Sequence, residues 1–307
     1  MSFIHQLADN LFLIDLDLDR RGFRQFISAW LYMRKESVFL VDPGPQSTYP
    51  MLQSALETAK IKHIDTVLLT HIHIDHAGCI GRLLRDYPQA RLICHPRAFR
   101  FLMDPARLWE ESRKVLGSLI DDYGPMEPVS ENALSFAEKA VIGNTEIHAV
   151  ETPGHAPHHL SFFIDDILFA GEMAGVHYPM ASSFYLRPAT PPVFWYDTFR
   201  SSFEKLSVLP ARFLCFGHYG CRNDPQEILA KAAGQIELWL HCIRNILHLH
   251  NDESFLISVF DELLALDPLL ADYPALPSDI REREWFFIRN SIRGMAAYLL
   301  DKQGKMS

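Results

Sequence analysis

The sequence predicts a mixed α/β body followed by an all-helical C-terminal extension. Three observations carry this expectation. Residues up to 45 and from 134 to 170 read as short strands, helix-like stretches lie between them, and from residue 224 onward the apolar residues fall at helical spacing. The boundaries that follow are 1–223 for the body and 224–307 for a helical extension packed on it.

The elements follow in chain order. LFLIDLDLD alternates at period two, FISAWLYM is apolar and compatible with a strand, and SVFLVDPGP is an apolar run stopped by Pro43 and Gly44. A helix is expected near 48–60. DTVLLTHIHIDHAGCIGRLLRDYP then reads as strand, polar loop and helix, and RLICHP as a further short strand. Asp104-Pro105 looks like a cap with proline at the first helical position, which predicts one helix over 104–122. EIHAVETPG and HLSFFIDDILFAGE return to strands, with Asp165-Asp166 as a hairpin turn. Residues 179–195, rich in proline and aromatics, read as an irregular loop. A helix near 196–206 leads to RFLCFGHYG, a buried strand ending in a polar turn. Beyond it, Asp224-Pro225-Gln226-Glu227 resembles a capping box for a helix over 225–250, and further helices are expected at 252–266 and 278–301.

Composition bounds the partners. The chain of 307 residues carries 29 Lys+Arg against 38 Asp+Glu, a formal charge of −9, which argues against nucleic acid as the natural partner. No apolar run approaches the roughly 18 residues of a spanning helix, so no membrane segment is expected. The start of the chain has no basic region followed by an apolar run, so no cleaved signal peptide is expected either. Five cysteines without a C-x-x-C pair suit a reduced, cytoplasmic protein.

Histidine is the distinctive residue: of 15, three lie within 71–76 and three within 155–159. His71, His73, Asp75 and His76 sit where a buried strand gives way to a loop. On extended backbone, residues two apart point the same way, so His71 and His73 can grip one cation, while Asp75 and His76 face a second position. Imidazole with carboxylate suits zinc, iron or manganese.

HIHIDHAG resembles the signature of the metallo-β-lactamase-fold superfamily, and the other motifs follow in order over residues 11–220. Asp42 in LVDPG resembles the first-motif aspartate that supports the metal loop. His155 in ETPGHAPHHLSFF resembles the third ligand of the first metal, and His218 in CFGHYG the last ligand of the second. Glu172 in LFAGEM stands where the family normally has a bridging aspartate. The resemblance implies an αββα sandwich and two divalent metal ions, zinc first, then iron or manganese. Its ligand set is His71, His73, Asp75, His76, His155, Glu172 and His218, with Asp75 also the catalytic proton carrier. His159 is expected to orient a neighbouring group, His158 to be exposed, and Cys79 to be a small buried thiol.

Two metals sharing a carboxylate can hold a water whose pKa falls toward 7 and can polarise a carbonyl. No G-x-S-x-G elbow occurs, so the expected chemistry is metal-assisted hydrolysis. GEMAGVHYP and RPATPPVFW resemble the glyoxalase-II-like subgroup, which implies a small acyl substrate, thioester or lactone. The alternatives are a mononuclear iron dioxygenase and a regulatory protein that keeps the metal fold. The RNA-processing relatives fit an acidic chain poorly, and a flavodiiron reductase would need a flavin domain. His177, Tyr178, Phe184, Tyr185, Trp195 and Tyr219 flank the inferred site, with Tyr178 or Tyr219 as candidate oxyanion donors and Arg187 as a candidate carboxylate binder. In the tail, Phe286, Ile288, Ile292, Met295 and Leu299 form a helical stripe that suits a pocket wall, a homo-oligomer seam or packing on the body.

Overall fold

The computed structural model describes residues 3–34, 36–181, 183–250, 252 and 254–304; the outermost residues of the two sequence-derived segments, 1–2 and 305–307, lie outside this set. The chain first lays down β1 (Ile4–Ala8), β2 (Leu11–Asp15), β3 (Ser28–Arg34) and β4 (Ser37–Val41) as an antiparallel meander. Helix α1 (Tyr49–Thr58) crosses to β5 (Thr66–Leu68). The short helices α2 (Ile74–Ala77) and α3 (Ile80–Asp86) cross to β6 (Arg91–Ile93). Helices α4 (Phe99–Met103), α5 (Ala106–Leu116) and α6 (Leu119–Tyr123) precede β7 (Leu134–Ser135). From β4 to β7 the pairing is parallel, which completes a seven-stranded sheet in sequential order.

The second sheet begins with β8 (Lys139–Ile142), β9 (Thr145–Glu151), β10 (Leu160–Ile164) and β11 (Ile167–Gly171). The chain leaves it for a separate hairpin, β12 (Val176–Pro179) and β13 (Phe184–Arg187), and for helix α7 (Tyr196–Ser207). It returns with β14 (Phe213–Phe216), parallel to β11, and β15 (Cys221–Arg222), so six strands run in the order β15-β14-β11-β10-β9-β8. Helices α8 (Pro225–Ile246), α9 (Phe255–Leu266) and α10 (Ser278–Gly304) form the C-terminal region. No helix among the described residues is long and apolar enough to cross a membrane.

Three apolar layers explain why the strands read as nearly continuous apolar runs: both faces are covered. Alternate residues of β2, β3 and β4 (Leu11, Leu13, Trp30, Tyr32, Phe39, Val41) meet Leu160, Phe162, Ile167 and Phe169 between the sheets. The other face of the first sheet, including Leu31, Leu40 and Val67, packs under Leu52, Leu56 and Leu83 of α1 and α3. The outer face of the second sheet (Leu168, Leu214, Phe216) is covered by α7, α8 and α10. Ile228, Ala232, Ile236 and Ile243 give α8 its buried face, and Ile288, Ile292, Met295 and Leu299 of α10 enter the same core. Phe286, the remaining member of that stripe, is half-buried outside it.

Three local expectations need correction. Residues 179–195 are not wholly irregular: β12 and β13 pair with Tyr178 opposite Tyr185, and Pro179 terminates its strand where no further ladder bond is needed. The single helix over 104–122 is broken at Gly117, whose φ of +59° no helix admits. Asp224 does not form a capping box; its carboxylate accepts from Arg222 Nε and Nη2 at 2.9 and 2.7 Å instead.

Candidate metal centre and active site

The segments carrying Asp42, His71, His155, Glu172 and His218 leave the C-terminal ends of β4, β5, β9, β11 and β14. Within each sheet these strands point the same way, because β4 and β5 are parallel, β11 and β14 are parallel, and β9 and β11 both oppose β10. The loops therefore converge at one edge of the sandwich. Trp30 Nε1 donates to the carbonyl of Phe216 at 2.9 Å and the Ser28 hydroxyl donates to that of His218, which ties the first sheet to the last site loop.

The side chains meet in two donor groups. His71, His73, His155 and Glu172 form one, and Asp75, His76, His218 and Glu172 the other; within each group the donor atoms all lie within 4.8 Å of one another. Glu172 belongs to both. Its Oε1 lies 3.1 Å from His76 Nε2, 3.2 Å from His218 Nε2 and 3.6 Å from His71 Nε2, and its Oε2 lies 3.4 Å from His155 Nδ1. Gly171 takes φ +57°, turning the chain as it leaves β11, and Glu172 N–H donates to His159 Nε2 at 3.1 Å. A Cβ at residue 171 would stand 2.3 Å from that same nitrogen, so glycine is required there.

A hydrogen-bonded layer beneath the cluster sets ring orientation. Asp42, held at φ +49°, accepts from Thr70 N–H at 2.8 Å, from Thr70 Oγ1 at 2.6 Å and from His76 Nδ1 at 3.2 Å. Since the Thr70 hydroxyl proton goes to Asp42, His71 Nδ1–H donates to Thr70 Oγ1 at 2.9 Å. That leaves His71 Nε2 as a bare lone pair, fully buried and without a hydrogen-bond partner. His155 Nδ1 donates to the carbonyl of Ala189 at 2.7 Å, which turns its Nε2 toward His73 Nδ1 at 2.8 Å.

Burial, followed by the neighbouring imidazoles, holds His71 and His73 well below the usual histidine range, so both are neutral donors. Burial opposes charge on His76 as well, but Asp75 and the hydrogen bonds to Asp42 and Glu172 outweigh it and raise that imidazole. Glu172 is kept anionic despite burial, chiefly by His155 and His218. Lone pairs converging on a buried carboxylate are what a cation-binding site requires, and the donor set fits divalent metal ions.

The sequence-derived candidates thus come together in space. Asp75 keeps 17% of its side chain exposed and faces the adjoining cavity. His159 is buried between Thr152 Oγ1 and Glu172 N–H. Cys79 is a buried thiol donating to the carbonyl of Pro43. His158 is half-buried and lines the cavity, where burial pushes its imidazole down to about 4, so it is not the exposed residue expected. Tyr178 and Tyr219 do not line the cavity; His177 stacks on Phe216 and donates to the carbonyl of Tyr219 at 3.0 Å. Arg187 is bound to buried Glu284 of α10, which accepts also from Tyr185 and Arg283.

Sequence reasoning missed Phe26, whose ring stacks on His218 at 4.1 Å and carries the Arg283 guanidinium 4.2 Å above it. Nothing near residue 26 marks it. It also missed Thr70, although its position directly before His71 is a usable signal.

The family model of the metallo-beta-lactamase superfamily matches residues 22–218. The chain belongs to this superfamily. As a superfamily member it is a metal-dependent hydrolase, and the match runs through every histidine of the cluster. The metallo-beta-lactamase fold-containing protein ST1585 of Sulfurisphaera tokodaii is 27% identical over 205 residues, 64% of this chain and 74% of that protein. The hydroxyacylglutathione hydrolase of Pectobacterium carotovorum is 27% identical over 147 residues, 47% of this chain and 45% of that enzyme, so the chain spans less than half of that relative. Among solved structures, ST1585 superposes with a TM-score of 0.69 at 22% identity, covering 93% of this chain and 98% of that one. The metallo-beta-lactamase family protein TTHA1429 of Thermus thermophilus superposes at 0.65 with 19% identity, covering 97% and 95%. These two superpositions show the fold, C-terminal region included.

Proposed function

We propose that this metallo-beta-lactamase-superfamily hydrolase cleaves a carboxylic acyl bond, a thioester or lactone, with two divalent ions, zinc first and iron or manganese next. The observation that carries the reading is Glu172, one carboxylate shared by two complete donor groups. In this reading His71, His73 and His155 would hold one ion and Asp75, His76 and His218 the other, with Glu172, a member of both donor groups, available to each. Divalent ions in such a site supply Lewis acidity, lowering the pKa of water and polarising an acyl carbonyl.

The protein's own groups do the rest. Asp42 fixes the orientation of the His76 ring and, through Thr70, that of the His71 ring. Phe26 stacks on His218 and limits its rotation. Asp75, at the cavity edge, accepts the proton of the attacking water on a carboxylate oxygen and returns it to the leaving thiol or alcohol. All five cysteines are free, which supports a reducing, cytoplasmic setting.

Metal analysis of the purified protein, paired with a panel of thioesters, lactones and carboxylic esters, tests this function. Two ions per chain and thioester or lactone turnover are expected, and His76→Ala should lose about one ion with nearly all turnover. Full activity in His76→Ala would overturn the dinuclear reading.

A further inference from the structure

Beside the histidine cluster lies a cavity of about 500 Å³, within the size range of small-molecule sites. One wall is α5, which presents Leu108, Ser112 and Val115 at helical spacing, yet has no fully buried residue of its own. The facing wall is the segment Pro191-Pro192-Val193 with Trp195. Val115, Val193 and Trp195 are left 49%, 58% and 52% exposed, three large apolar side chains around one opening. A water-filled site gains nothing from them, whereas an apolar ligand would remove them from solvent. Phe287 of α10 closes a third side.

Charge narrows the occupant. Of the three lining carboxylates, Asp75 and Glu172 belong to the donor groups and Glu111 is paired with Lys114 at 3.0 Å. Among the described lining residues the lysine and arginine count is one, Arg187, and its guanidinium is already bound to Glu284. Away from the donor groups the described lining therefore holds no unpaired charge, and a carboxylate or phosphate on the part of a substrate lying against it would find no partner.

We infer that this cavity is the acyl-binding site of the proposed hydrolase and selects a substrate whose acyl chain is uncharged and apolar, held between α5 and residues 191–195. The inference rests on the acyl-hydrolase reading for what happens to the ligand, but not for its binding.

The test has a binding arm and a turnover arm. Displacement of the neutral fluorophore N-phenyl-1-naphthylamine by unreactive N-methyl alkanamides, from acetyl to decanoyl, is measured on the full-length protein as purified and after metal removal. Affinity should rise by up to about fourfold per methylene until the cavity is filled. Val193→Asp and Val115→Asp, at exposed positions whose replacement leaves the core untouched, should each flatten that series by half or more. In turnover of N-acetylcysteamine thioesters, a decanoyl group should outperform a succinyl group by at least tenfold in kcat/KM. A chain-length series that is flat in binding, or a preference for the succinyl thioester, would overturn the inference while leaving an acyl hydrolase. A steep binding series in a protein that hydrolyses no thioester, lactone or ester would instead overturn the proposed reaction and retain the apolar site.

Discussion

Replacing Glu284 by glutamine should be the most destabilising conservative change outside the metal cluster. The carboxylate is fully buried, and it joins α10 to the body by accepting from Arg187, from Arg283 Nε at 2.8 Å and from Tyr185 at 3.0 Å. Side-chain exposure of Arg187 and Arg283 is 4% and 1%, so removing the negative charge strands two guanidinium groups in the interior. Breaking a buried pair of this kind costs about 3–5 kcal/mol. The titration of the group leads to a similar figure. Burial alone would raise the Glu284 carboxyl, but Arg187 and Arg283 outweigh it and hold it at about 2, against an ordinary 4.5. That gap is worth on the order of 3 kcal/mol at neutral pH. Because the folded pKa is depressed, the contribution is complete above about pH 4.5 and is lost as pH falls toward 2. Urea unfolding at pH 7, repeated from pH 6 to pH 3, reads both effects. The Glu284→Gln protein should lose about 3–5 kcal/mol at pH 7, with the deficit narrowing below pH 4.5. Glu227→Gln, which removes an exposed pair with Lys231, is the control and should change stability little. A loss below about 1 kcal/mol at Glu284, or a deficit that does not vary with pH, would refute the reasoning.

Three further outcomes follow from the cluster. Glu172→Gln should lose at least one metal ion and most turnover, whereas Glu172→Asp should retain metal but act less well because its reach is about 1.5 Å shorter; unchanged metal content and rate in Glu172→Gln would show that the residue is no ligand. Asp42→Ala removes the acceptor of three hydrogen bonds, and competition with a chelator should show metal affinity reduced by about 10–100-fold. Phe26→Leu should weaken retention of the ion held by His76 and His218 more than that of its neighbour, because Phe26 stacks on His218 alone among the cluster rings, which stepwise metal release can resolve.

Much of the centre was legible in the primary structure because its chemistry is local. Asp42, His155, Glu172 and His218 stand out through their resemblance to the superfamily's motifs, whereas His71 and His73 lie two apart at the end of a strand, with Asp75 and His76 following in the turn. Such spacing constrains side-chain direction without knowledge of the rest of the chain. The strands themselves were readable for a related reason: burial on both faces leaves unbroken apolar runs bounded by turn residues. The hairpin within 179–195 was not, because its pairing depends on Tyr178 meeting Tyr185 across an insertion whose proline content signals a loop.

What the chain does with its substrate was decided by packing across distance. Phe26 against His218, the wall that α5 shares with residues 191–195, and the closure by Phe287 each join segments with no common periodicity or motif. Arg187, which from its sequence neighbourhood alone reads as a possible carboxylate binder, is taken out of that role by Glu284 of the C-terminal helix. A motif records which donor atoms point together along one stretch of backbone. The shape and charge of a cavity depend on which distant side chains exclude water jointly, and only the folded arrangement sets that.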